Sequence, residues 1–255
     1  MINNSHTSTK KEIIHLVAVF LAIFAFIFVL FLRFPLNDSL FGNIDIWFYV
    51  WQMNDFYNHY LGNAPSGQIL YPSEDIVSIM ESPLGIGLLY SPFKIFIKND
   101  IWTFYLLSCT TLSLNGVSFY LLLKSFSIEK WIAIAMAFLF ATNNFAFSNV
   151  ENFNAFVIFP GLLAAYSLKR AVFCKQLSLN YTLLAAFFAG IQLYFSMYFF
   201  VFQFIIIGVI ALFYWNKLPK IQYILSGFAL LILLMLPFVL QPVSYTHLRA
   251  HETTS

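Results

Sequence analysis

The polar residues of this chain that are equipped for chemistry fall in a few short stretches. Glu74, Asp75 and Glu81 lie within "YPSEDIVSIMESPLG". Grouped carboxylates of this kind suit a divalent cation or ligand hydroxyls, and a solvated acidic loop is the plainer use of the same residues. Lys94 and Lys98 are one helical turn apart, so on a helix they share a face. Two ammonium groups placed this way can hold a phosphate at an interface, and they serve equally as anchors whose heads reach water. A third stretch, "ATNNFAFSNVENFNAF", gathers Asn143, Asn144, Asn149, Asn152 and Asn154 around Glu151. A carboxamide both donates and accepts hydrogen bonds, which suits sugar hydroxyls and also ordinary turns. Asp45 opens an aromatic stretch, where it can cap a helix. His59 reads as an interfacial residue, with proton transfer as the alternative.

The elements that carry these residues follow from composition. Of 255 residues, 60% are hydrophobic and 9% charged, with 32 Phe and 14 Tyr. Soluble domains carry about 25% charged residues. So few charges cannot cover a water-facing surface, and the composition predicts an all-α, polytopic transmembrane bundle. No basic patch of the sort that binds nucleic acid is present. Cys109 and Cys174 are far apart in apolar surroundings and read as small fillers, not as a disulfide or metal pair.

Ile13 to Phe34 forms the first predicted span and is too long for a cleaved signal segment. A loop over 35–100 follows. Further spans are expected at about 101–123, 131–149, 153–170, 181–195, 197–215 and 221–241, giving about seven in one membrane domain over 1–241. The uncharged run from Tyr181 to Trp215 is too long for one span and must turn near Ser196. Charge placement agrees. With the N-terminus cytoplasmic, Lys10, Lys11, Lys124, Lys130, Lys169, Arg170, Lys175, Lys217 and Lys220 all fall inside, as basic residues prefer. Lys94 and Lys98 fall outside together with most of the acidic residues.

The external loop contains two aromatic, amphipathic stretches. "IDIWFYVWQMNDFYNHYLGN" over 44–63 suits a helix at headgroup level. "SPLGIGLLYSPFKIFIK" over 82–98, punctuated by Pro83 and Pro92, suits a second surface helix or a re-entrant segment. A first helix, a long external loop with an early Asp, and then "YP" and "SED…ESPLG…SPF" make up an ordered pattern. In that order the chain resembles the polytopic GT-C class of glycosyltransferases, which use polyprenyl-phosphate-linked sugars. The resemblance covers most of residues 10–241. It implies a catalytic Asp in the first loop, and Asp45 is the matching position. Relatives often carry Gly directly before that Asp; here Ile44 stands there, with Gly42 nearby.

On this reading Asp45 removes the acceptor proton, with helix capping as its alternative role. Glu74, Asp75, Glu81, Lys94, Lys98, Glu151, Asn152 and Asn154 become substrate-binding candidates, and a divalent cation is one occupant of the acidic group. The expected partners are a lipid-linked sugar donor and membrane lipids, in a bacterial inner membrane. Two other classes compete: a transporter or flippase, and a membrane scaffold without activity. The predicted spans contain no Asp or Glu in their interiors, and the polar chemistry sits in one external loop, which favours the enzyme.

The tail has a separate reading. Val243 to Thr253 resembles a translated sequencing-library adaptor, so 242–255 is expected to be non-native and the chain to be the N-terminal part of a longer protein.

Overall fold

Helix α1, Asn4–Arg33, shows why the bundle forms as it does. Val19, Ile23, Ile27 and Phe31 recur at a four-residue spacing and are buried, while Ile13, Val17, Leu21 and Val29 remain exposed. One stripe packs against protein, and the exposed apolar residues suit a lipid-facing surface. The computed structural model describes residues 4–33, 49–54, 57–58, 84–143, 156–174 and 177–252. Among these residues all regular structure is helical. By length and composition, Lys11–Leu32, Asp100–Ser125 and Ser178–Phe195 can each cross a membrane. Lys130–Ala141, Met197–Phe213 and Ile221–Leu236 are shorter apolar helices.

After α1 come α2 (Leu84–Phe96), α3 (Asp100–Ser125), α4 (Lys130–Ala141) and α5 (Phe159–Phe173). Then follow α6 (Ser178–Phe195), α7 (Met197–Phe213), a 3-10 turn at Trp215–Lys217, and α8 (Ile221–Glu252). Helices overlap each expected span position, and three of them are long enough to cross a membrane; α4 stops at Ala141 and α5 starts at Phe159, so neither fills its expected span. Helix α8 is continuous past Gln241, the expected limit of native sequence. The turn between α6 and α7 falls at Ser196, whose backbone is extended and whose Oγ accepts from Phe199 N at 3.4 Å. The long uncharged run is broken where the span length requires.

Helix α3 is the centre of the bundle and packs against α1, α2, α4 and α5. It runs antiparallel to α1: His15 Nε2 is 3.1 Å from Tyr120 Oη near one end, and Phe31 meets Tyr105 near the other. The first of these ends also bears Lys11, Lys124 and Lys130. Helix α4 approaches α3 through Ala133, Ala137 and Ala141, all fully buried. They face Gly116, where an added Cβ would lie 3.0 Å from Ala141 Cβ and 3.1 Å from the Ala137 carbonyl oxygen. Small residues at this spacing let two backbones approach closely. Gly116→Leu supplies a better helix former yet is expected to destabilise by about 1–3 kcal/mol through overpacking. Thermal unfolding in detergent measures this, and an unchanged or raised Tm would contradict the packing.

Helix α5 is tied down at both ends. At its C-terminal end Lys169 is 4% exposed and its Nζ sits among three rings, 3.7 Å from the Tyr214 centroid, 4.0 Å from Phe173 and 4.5 Å from Phe126. A lysine otherwise expensive to bury is held by cation–π contacts. With 15 residues, α5 is about 22 Å long, short of a hydrocarbon core of about 30 Å. It starts inside the bundle.

Candidate functional site

The end of the bundle opposite the lysine-rich one is organised by α2. Ile86, Gly87, Tyr90 and Ser91 form its buried face, while Leu88, Ile95 and Phe96 face outward. Gly85 permits the packing: an added Cβ would lie 2.7 Å from the Tyr194 carbonyl oxygen, so backbone meets backbone where α2 crosses the end of α6. From there α2 runs to the start of α3, forming a helical hairpin with it.

A polar lock closes that hairpin. Tyr90 Oη lies 2.9 Å from Asn54 Oδ1 and 3.2 Å from Asp100 Oδ1, and the phenol donates to them. Lys94 Nζ donates to Asp100 Oδ1 in an ion pair and to the Lys98 carbonyl at 3.1 Å. Asn99 caps α3 by accepting from Trp102 N at 3.1 Å, and Asp100 sits in the favourable first turn. The helical residues 49–54 of the first loop are thereby joined to the bundle. Burial pushes the Tyr90 phenol upward, and the Asp100 carboxylate adds to the shift. Tyr90 is therefore a neutral donor at physiological pH and has a positioning role. Tyr90→Phe leaves the half-buried Asn54 and Asp100 oxygens with one donor fewer and is expected to cost about 0.5–1.5 kcal/mol. Faster limited proteolysis of the first loop is the predicted readout.

Lys94 and Lys98 do not share a helix face. Helix α2 stops at Phe96, because Asn99 and Asp100 open α3 and the chain must turn between them. The Lys94 charge is taken up by Asp100, whereas Lys98 is exposed and makes no ion pair among the described residues. Of the two candidate phosphate contacts, Lys98 is the one left available. Asp45, Glu74, Asp75, Glu81, Glu151, Asn152 and Asn154 lie outside the described residues, as does His59. Among the described residues no group of three or more His, Cys, Asp or Glu stands close enough to hold a metal.

A second polar constellation lies within the bundle. Asn115 of α3 donates from Nδ2 to the Phe156 carbonyl at 2.6 Å and accepts from Ile158 N at 3.2 Å. Gln192 of α6 donates from Nε2 to the Val157 carbonyl at 2.9 Å and accepts from Gly161 N at 3.0 Å. Both side chains are buried. Pro160 lacks an N–H and suits the first turn of α5. Two carboxamides thus satisfy backbone groups that would otherwise be stranded where α5 begins. Gln203 Nε2 donates to the Ala189 carbonyl at 3.0 Å and ties α7 to α6. These contacts make Gln192 and Gln203 links between helices.

The fold and these contacts define an all-helical bundle, apolar enough to cross a membrane, with a loop-borne helix locked to one end. Comparison of the chain with family models, curated proteins and solved structures returns no match.

Proposed function

We propose that the protein is a membrane glycosyltransferase of GT-C-like type. It transfers a sugar from a polyprenyl-phosphate donor to an acceptor on the extracytoplasmic face. The observation that carries this reading is the lock of Asn54, Tyr90, Lys94 and Asp100. It fixes both sides of the first loop to the bundle, at the end expected to be external. A loop held at two points can present Asp45 and the acidic group at a constant height over the membrane, as positioned chemistry requires. In this reading Asp45 takes the acceptor proton and Lys98 contacts the donor phosphate. Glu74, Asp75, Glu81, Glu151, Asn152 and Asn154 face the sugar, with or without a divalent cation.

One observation favours the flippase reading instead: α5 begins inside the bundle with its first turn held by amides, and interrupted helices are common in transporters. Photoaffinity labelling separates the two. A polyprenyl phosphate carrying a diazirine near the phosphate is expected to label 84–100 and the loop before it. Labelling centred on the start of α5 would favour lipid passage and contradict the enzyme.

A further inference from the structure

The lysine-rich end of the bundle contains a cavity of about 550 Å³ between α1, α3, α4 and α5. Four cations line it, each helix contributing one: Lys11, Lys124, Lys130 and Arg170. Glu12 is the only carboxylate in the lining, and none of the four cations makes an ion pair among the described residues. The Arg170 Nε is buried without a hydrogen-bond partner. Lys124 Nζ reaches only the Ile128 carbonyl, and Lys130 Nζ lies 5.5 Å from the Trp131 ring centroid. Hydroxyl and imidazole groups complete the wall, with His15 and Tyr120 bonded to each other.

Four like charges converging on one cavity repel each other, and a buried guanidinium N–H without an acceptor adds to the cost. Glu12 offsets one of these charges, the three lysines are partly screened by exposure, and Arg170 Cζ lies 5.5 Å from the Tyr181 ring centroid; an anion seated in the cavity would take up the remaining charge and the Arg170 Nε–H. We infer that this cavity binds a phosphate group, carried on an anionic membrane lipid. The phosphate oxygens accept from Arg170 and from the surrounding ammonium groups, in the way basic pockets between membrane helices take lipid headgroups. Exposed apolar residues flank the entrance on α1 and α4, among them Ile14, Val17, Trp131 and Ile132, and give acyl chains a surface to follow. The site is distinct from the α2–α3 hairpin and lies at the other end of the molecule. It requires no catalytic activity.

The test is thermal unfolding of the full chain in neutral detergent with three probes: dioctanoyl phosphatidylglycerol, dioctanoyl phosphatidylcholine and inorganic phosphate. Phosphatidylglycerol is expected to raise Tm by roughly 5–10 °C at a hundredfold excess over its Kd. Phosphatidylcholine, whose choline brings a positive charge into a cationic cavity, should do little. Stabilisation by the anionic lipid alone identifies a lipid headgroup, whereas equal stabilisation by inorganic phosphate identifies a soluble phosphate as the source. The double substitution Lys124→Gln and Arg170→Gln should weaken binding roughly 25-fold, about fivefold for each charge removed. Glu12→Gln should tighten it by roughly fivefold, a gain that a misfolded variant cannot imitate. Equal stabilisation by both lipids, or affinities unmoved by these substitutions, would overturn the inference.

Discussion

Gln192→Leu is expected to destabilise the protein by about 2–6 kcal/mol, since two backbone groups lose their partners at once. The Val157 carbonyl would lose its donor and the Gly161 N–H its acceptor, both in a buried part of the bundle. Leucine fills a similar volume, so the loss reports the hydrogen bonds and not a cavity. Tm in detergent should fall by roughly 5–20 °C. Gln192→Glu keeps an acceptor for Gly161 and removes the donor to Val157, so it separates the two contacts. A leucine variant as stable as wild type would show that α5 does not depend on this cap.

Asp45→Asn is expected to lower sugar transfer by about 10²–10⁴-fold without reducing membrane insertion, the loss typical of a missing general base. The substitution discriminates well because Asn caps a helix about as well as Asp does. If Asp45 only caps its helix, activity survives; if it accepts a proton, activity goes. Initial rates at matched protein levels measure the difference. A helix N-terminus beside Asp45 would favour the charged carboxylate, which suits a base already deprotonated when the acceptor arrives.

The positions of the helices can be read from the sequence because long apolar runs leave few alternatives in a membrane. The break at Ser196 is readable for the same reason: an uncharged run from Tyr181 to Trp215 exceeds one span. The start of α5 is not. The stretch 153–170 looks like one continuous span, and its division depends on Asn115 and Gln192, which are 43 and 31 residues away from the backbone groups they bind. Local pattern carries no trace of partners that distant. The lysine pair shows a different difficulty. The four-residue spacing of Lys94 and Lys98 suggests a shared face, but the Asn99-Asp100 cap breaks the helix between them and turns Lys94 toward Asp100. That cap was the available signal. The contribution of Tyr90 left no signal at all, since a tyrosine within an apolar stretch most often only packs. The lysine-rich cavity was half visible: charge bias placed Lys11, Lys124, Lys130 and Arg170 on one side, but only the packing of four helices brings them around one space.

The most direct measurement is donor consumption by the purified protein. The protein would be placed in proteoliposomes with a polyprenyl-phosphate-linked radiolabelled sugar and the extracytoplasmic leaflet accessible. In glycosyl transfer, free polyprenyl phosphate accumulates with time and in proportion to protein, and the label moves to an acceptor. Intact donor appearing in the opposite leaflet, with no phosphate lipid released, would contradict it and establish lipid movement as the activity.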